Sequence, residues 1–186
     1  IAIYGNMLSA YKAAGLKEGY VLTALNYLEW RRGAERYIRP LQAKGAASIL
    51  TDDTYLKALN TLKSKYASEP ICAEVYLAQA RYAIEKQQQV NALQLCDEAI
   101  RLYPGYDRIN ALKNLREEIL APYLNVYAAD QAFPNEEIEL RASHKNLDGF
   151  TVRIYQAKKL IKEQHYSVIR PEDYRTQDTV FTFKAP

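Results

Sequence analysis

The chain has 186 residues, enough for one medium domain or two small ones. Its 25 basic and 22 acidic residues leave a net charge of +3, too balanced for the clustered basic stripe of a nucleic-acid binder. No apolar run approaches the roughly 18–20 residues of a membrane-spanning helix, and two cysteines, Cys72 and Cys96, are too few for a disulfide framework.

The chain opens Ile1-Ala2-Ile3-Tyr4, without an initiator Met and without a charged region followed by an apolar stretch. It reads as a mature or excised segment whose targeting signal lies upstream. Helical spacing of Tyr4, Met7, Leu8 and Tyr11 predicts a first helix over 2–14, stopped by Gly15. A second is expected over 17–39, with Val21, Leu25, Leu28 and Arg32 on one stripe and Pro40 ending it. Residues 41–50, with Gly45 among small neighbours, read as a loop or a weak helical turn. Thr51 is an N-cap candidate, followed by Asp52 and Asp53 at the positive end of a helix that carries Tyr55, Leu59, Leu62 and Tyr66. Ser68-Glu69-Pro70 breaks that helix, and the next, over 71–86, is expected to turn Val75, Ala78 and Tyr82 inward. After a polar turn at 87–89, a helix over 90–103 ends at Pro104-Gly105. The last covers 106–121 with Ile109, Leu112, Leu115 and Ile119 on its apolar face.

At Pro122 the period changes from helical to alternating. Strands are expected over 123–128, 136–144, 150–156, 166–169 and 179–183. Ile138, Leu140 and Ala142 point inward, and so does His144 at the strand end, as a satisfied structural histidine. Pro134-Asn135 reads as a turn, and residues 146–149, with Asp148-Gly149, as a hairpin-type connection. The predicted class is therefore α+β in two segregated parts: an antiparallel helical array over 1–121, then a partial antiparallel β-sandwich over 122–186. A full sandwich of about 100 residues has about seven strands. This one reads as truncated, and its open edge invites pairing with another chain, an edge-strand dimer included.

Catalytic chemistry is absent from the residue pattern. There are two histidines, His144 and His165, no metal-ligand spacing, no Gly-rich phosphate loop and no nucleophile motif. Glu117-Glu118 and Glu136-Glu137 are sequence neighbours that point apart and read as solvated. Cys72 has no cationic neighbour in sequence to make it reactive. The two cysteines read as small buried hydrophobes, with a single disulfide as the open alternative. No catalytic residue, cofactor or metal is assigned, and an enzyme is not expected. The basic stretch Arg153, Lys158, Lys159, Lys162, Arg170 and Arg175 is diluted by Glu163, Glu172 and Asp173. It reads as a solvated face before an anion- or membrane-surface site. The 16 tyrosines suit helix seams, with a tyrosine-lined groove as the sharper alternative. Tyr27, Trp30, Arg31 and Tyr37 form a candidate partner-binding surface.

The spacing Tyr76, Ala80, Ala92, Ala99 and Pro104 resembles a tetratricopeptide repeat, without that family's Leu-Gly pair; a plain helical bundle is the other reading. Tyr55-Leu56-Lys57-Ala58-Leu59 through Tyr66, Ala73-Glu74-Val75-Tyr76 through Pro104, and Leu115 through Pro122 together resemble the helical leader of large Bacteroidetes-type bacterial alpha-macroglobulins. Phe133-Pro134-Asn135, His144-Lys145-Asn146, Val152-Arg153-Ile154-Tyr155 and Arg170-Pro171-Glu172-Asp173-Tyr174 are similar to the opening of their first macroglobulin β-sandwich. The thioester motif of that family is absent, and neither cysteine has its context. The resemblance implies an N-terminal, non-catalytic scaffold of a protease-trapping envelope protein, periplasmic or tethered to the outer membrane. The alternative function is a helical-repeat protein–protein interaction module of an envelope protein. Either way the partner is a protein, a protease or an envelope component.

Overall fold

The structure is a computed structural model that describes residues 2–33, 50–128, 133, 135–156 and 158–184. Helices come first and strands after, the α+β order that the change of period at Pro122 predicts. The helices are α1 (Ala2–Ala13), α2 (Lys17–Gly33), α3 (Asp52–Lys65), α4 (Cys72–Glu85), α5 (Gln89–Leu102) and α6 (Asn110–Leu120). The strands are β1 (Tyr123–Tyr127), β2 (Glu137–Lys145), β3 (Gly149–Gln156), β4 (Lys159–Ser167) and β5 (Gln177–Lys184). Two compact units result. The described residues within Ile1–Lys86 and Asn91–Arg116 form one, and those within Gln87–Val90 and Glu117–Pro186 the other.

Local chemistry sets the helix ends of the first unit. Gly15 adopts φ +68°, a left-handed conformation open to glycine at little cost. The turn is then closed by Gly15 N–H donating to the Lys12 carbonyl at 3.3 Å and Leu16 N–H to the Tyr11 carbonyl at 3.0 Å, the paired bonds of a Schellman stop. Gly19 lets α2 approach α1, since a Cβ there would sit 2.6 Å from the Tyr11 ring. At α3, Thr51 is extended and its hydroxyl accepts from Thr54 N–H at 3.3 Å, so the expected N-cap forms. The last residues of the predicted second helix (34–39), Pro40 and the ambiguous stretch up to residue 49 lie outside the described residues.

The centre of this unit is α4. Ten of its fourteen residues are buried, among them Cys72, Val75, Tyr76, Ala80 and Tyr82. A single inward stripe was the expectation, with Ala78 on it; the helix is instead enclosed around most of its circumference, and Ala78 is only half-buried. The reason is its apolar content on every face, which marks a central rather than a surface helix. Tyr55, Leu59, Leu62 and Tyr66 of the α3 region are buried beside it, and so are Ala92, Cys96 and Ala99 on α5. Gln79 Nε2 donates to Asn60 Oδ1 at 2.7 Å, tying α4 to α3. Both cysteines are free thiols. Residues 107–109 form turns, so α6 starts four residues later than predicted, yet Ile109, Leu112 and Ile119 are buried as the pattern requires.

The second unit packs two antiparallel sheets, ordered β1-β2-β5 and β3-β4. Their shared core contains Leu140, Ala142, Phe150, Tyr166 and Phe183, with Ile138, Val152, Ile154, Val168 and Phe181 packed against it. Alternation on β2 therefore reads the inner face correctly, and Leu140, Ala142 and His144 are all buried.

Two expectations are corrected here. The connection at 146–149 is not a hairpin, because β2 pairs with β1 and β5 while β3 pairs with β4. Asn146 redirects the chain. It takes φ +55°, is buried, and its Nδ2 donates to the carbonyls of Ile119 at 2.9 Å and Ala121 at 3.2 Å, capping the last turn of α6. The fourth strand is also longer and earlier than the expected 166–169, running from Lys159 to Ser167, while Ile169 lies beyond it and is exposed. Its inner positions are polar apart from Tyr166: Lys162 sets its ammonium 4.2 Å over the Phe183 ring centre and donates to the Lys184 carbonyl at 2.7 Å.

Candidate functional site

The expected partner-binding surface falls on α2, with help from α1. Tyr27 and Trp30 are three residues apart on α2, one helical turn, and their rings stack with centroids 6.3 Å apart and an interplanar angle of 15°. Tyr4 of α1 joins them at 5.2 Å from Tyr27 and 6.1 Å from Trp30. The Arg31 guanidinium carbon lies 5.8 Å from the Tyr27 ring centre, within cation–π range. Beside the cluster is a cavity of about 490 Å³ lined by Ile3, Tyr4, Met7, Thr23, Asn26 and Trp30. Trp30 is 38% exposed and Ile3 and Met7 are exposed too, so this is an open apolar surface and not a closed core. Three of the predicted residues thus come together; the fourth, Tyr37, lies outside the described residues. The contribution of α1 was missed as a site, although the stripe with Tyr4 and Met7 was visible in its sequence.

A second concave region, not foreseen, lies between α2 and α4. It holds about 470 Å³, with a floor of Leu22, Leu25, Leu77 and Ala78 and charged walls. Arg32 is the keystone of one wall. Its guanidinium lies 4.7 Å from the Tyr55 ring centre and 5.4 Å from that of Tyr82, and it pairs with Glu85 at 2.7 Å and Glu29 at 3.3 Å. The Tyr55 hydroxyl donates to Glu29. Burial, and then that hydrogen bond to an acceptor carboxylate, push the Tyr55 hydroxyl well above its ordinary range of titration. On the other wall Glu74, itself buried, accepts from the Tyr106 hydroxyl at 3.0 Å and pairs with Arg108 at 3.3 Å. Burial and the Glu74 charge raise Tyr106 as well. Arg81, exposed on the rim, has no ion-pair partner among the described residues. These groups come from elements far apart in sequence, and nothing in the linear pattern signals their meeting.

Neither region assembles a nucleophile with a base. The Cys72 thiol is raised by burial and its sulfur donates to the Lys63 carbonyl at 3.6 Å, while Cys96 is pushed up to about 11 by burial and the Asp97 charge. Such thiols are poor nucleophiles near neutral pH. Among the described residues no group of three His, Cys, Asp or Glu side chains is placed to hold a metal ion, and no helix is long and apolar enough to cross a membrane. The basic stretch disperses: Arg153 pairs with Glu163 at 2.6 Å, Arg175 with Asp173 at 3.2 Å, and Lys162 is spent on a backbone carbonyl. His144 is fully buried, with Nε2 3.0 Å from the Thr179 hydroxyl. Its Nδ1 finds no partner among the described residues, so the expected satisfied histidine is only half satisfied. None of the protein-family models, curated proteins or solved structures compared with this chain matches it.

Proposed function

We propose that this chain is a non-catalytic scaffold segment of a large, envelope-located, alpha-macroglobulin-like protease-trapping protein. The observation that carries the reading is the strand arrangement. The first, second and fifth strands form one sheet, the third and fourth the other, around a common core. Immunoglobulin-like sandwiches place their A, B and E strands on one sheet and C on the other in the same way. A helical array followed by such a sandwich suits a spacer leading into a series of β-domains. The role is mechanical: the helical unit sets a distance and the sandwich presents an edge, while target proteases are held elsewhere in the larger protein.

The test uses the natural polypeptide that carries these residues. Mixed with a protease such as trypsin, it is expected to suppress cleavage of a large protein substrate while cleavage of a small peptide substrate continues, and to co-elute with the protease on gel filtration. Unchanged cleavage of both substrates and separate elution would overturn the reading.

A second reading has its own observation: the exposed Tyr4, Tyr27 and Trp30 cluster beside an open cavity fits a protein-interaction module. Under it, Trp30→Ala leaves the helical circular dichroism signal and melting temperature nearly unchanged and abolishes capture of an envelope partner. Loss of folding on that substitution would make Trp30 a packing residue and remove the reading.

A further inference from the structure

The cleft between α2 and α4 belongs to the helical unit alone, and its charges cancel in sum but not in place. Its walls carry three carboxylates, Glu29, Glu74 and Glu85, and three guanidiniums, Arg32, Arg81 and Arg108. A neutral sum concentrates neither anions nor cations; what such a cleft can select is a dipole. Arg32 holds both Glu29 and Glu85. Arg81 is left over at that end. Its i+4 neighbour on α4, Glu85, is turned to Arg32, and Arg81 is exposed with no ion-pair partner among the described residues.

The other end has the opposite want. Glu74 is only 8% exposed, and both of its polar contacts fall on one oxygen: the Tyr106 hydroxyl donates to Oε1 at 3.0 Å, and Arg108 Nε approaches the same atom at 3.3 Å. Oε2 accepts no hydrogen bond among the described residues. It is not sealed in the protein either: the sealed polar atoms without a partner belong, among the described residues, to Gln79, Gln89, His144 and Asn146. A carboxylate has about four acceptor sites, and a desolvated one with a whole oxygen unfilled calls for a donor. Glu74 and Arg81 are two helical turns apart on α4, so they share a face, with about 10.5 Å of rise between them. Leu77 and Ala78 lie between them, and Leu22 and Leu25 complete the floor from α2. Asn26, exposed on the α2 side, has no side-chain partner among the described residues.

We propose that the cleft binds a short free peptide of apolar residues, about three long, with its amino end on Glu74 and its carboxylate on Arg81. Three extended residues span about 10 Å, which matches the rise between the two groups. The ammonium donates to Oε2 of Glu74, and the carboxylate accepts from the Arg81 fork. Aliphatic side chains lie on Leu22, Leu25 and Leu77, and the Asn26 amide meets the peptide bonds. A cavity of about 470 Å³ holds a ligand of that size. An internal stretch of polypeptide, from a partner or in cis, has no backbone charge at either end, so its main chain answers neither want. A fatty acid answers only Arg81. Each peptide-bond hydrolysis leaves one carboxylate and one ammonium, so proteolysis is the class of reaction that supplies such a ligand. The site stands on the helical unit and not on protease trapping or on Trp30, so it can fail while those readings hold, and the reverse.

The probe is tri-leucine, titrated calorimetrically into this chain beside its N-acetyl form, its C-terminal amide and the form with both caps. Tri-leucine should bind with a dissociation constant below about 1 mM. Acetylation should weaken it about tenfold or more, because it takes the charge from the donor that meets a desolvated carboxylate. Amidation should weaken it about threefold, because Arg81 is exposed. Arg81→Gln should bind tri-leucine and its amide alike, and Glu74→Gln should bind tri-leucine and its acetyl form alike. If Glu74→Gln loses the helical circular dichroism signal of the parent, Leu22→Asp, half-buried on the floor, takes its place and should weaken tri-leucine at least about tenfold. Arg101→Gln, exposed on α5 and outside the cleft, should bind like the parent chain. No binding of tri-leucine would overturn the proposal, and so would an Arg81→Gln variant that still prefers the carboxylate to the amide. Equal binding of the doubly capped form would also overturn it, giving the cleft to an internal stretch of chain.

Discussion

In the helical unit α4 is wrapped by its neighbours until ten of fourteen residues are buried, whereas in the β unit β1 pairs only with β2 among the described residues and leaves Leu124 and Val126 of its inner face partly exposed. The same chain thus holds one core that closes on itself and one that stays open on a side. Secondary structure does not explain the contrast, since both units have well-patterned elements. A helix gains burial by being surrounded, and α4 has helical neighbours before and after it in sequence. A strand in a sandwich gains burial from the opposite sheet, and among the described residues that sheet has two strands against three. Where packing is complete, single substitutions should be costly; where it is open, they should be cheap.

Four measurements would break or sharpen that contrast. Leu59, fully buried on α3, should cost about 2–5 kcal/mol when replaced by Ala, read as a loss of denaturant midpoint followed by helical circular dichroism. A cost near zero would mean that the helical core is not closed.

Alkaline pH gives the next effect. Cys96 holds its proton from an ordinary thiol value near 9 up to about 11. The stabilisation is whole below pH 9. It fades as pH rises to 11, because the unfolded chain ionises first, by roughly 2–3 kcal/mol at about 1.4 kcal/mol per unit. Burial also raises Tyr55, Tyr76, Tyr103 and Tyr106, which extends the loss to higher pH. Melting curves at pH 8 and pH 10.5 should therefore separate less for Cys96→Ala than for the parent chain. Removing the α3 cap with Thr51→Ala should cost about 1 kcal/mol, visible as faster amide exchange in the first turn of α3. The smallest effect is expected for Leu124→Ala, below about 1 kcal/mol, since its side chain is already partly in water. A penalty as large as that of Leu59→Ala would show that the inner face of β1 is covered in solution.

What could be read from the sequence follows from how local each determinant is. Thr51, Gly15 and the stripe Tyr55, Leu59, Leu62, Tyr66 act within a few residues, and they behave in the structure as their spacing demands. Asp148-Gly149 looked like a hairpin because its turn chemistry is local. The deciding interaction was distant: the Asn146 amide on the carbonyls of Ile119 and Ala121. The start of β4 is not legible because Lys162 and Gln164 occupy inward positions where an apolar residue would signal a strand; the Lys162 ammonium lies over the Phe183 ring instead. Tyr27, Trp30 and Arg31 could be singled out because they are close on one helix. The cleft that joins Arg32, Glu74, Arg81 and Arg108 could not, since charges scattered over 29–108 have no common period.

A helix with almost no outward side also limits how its sequence can drift. On α4 a charged replacement has few places to land: Arg81 and Glu85 are exposed, and Ala78 and Ile84 are half-buried. Elsewhere on the helix most changes would add volume beside Tyr55, Leu59, Ala92 or Ala99, or empty it. Saturation mutagenesis should then draw α4 as a narrow intolerant band, in contrast to the permissive α1, none of whose described residues is buried.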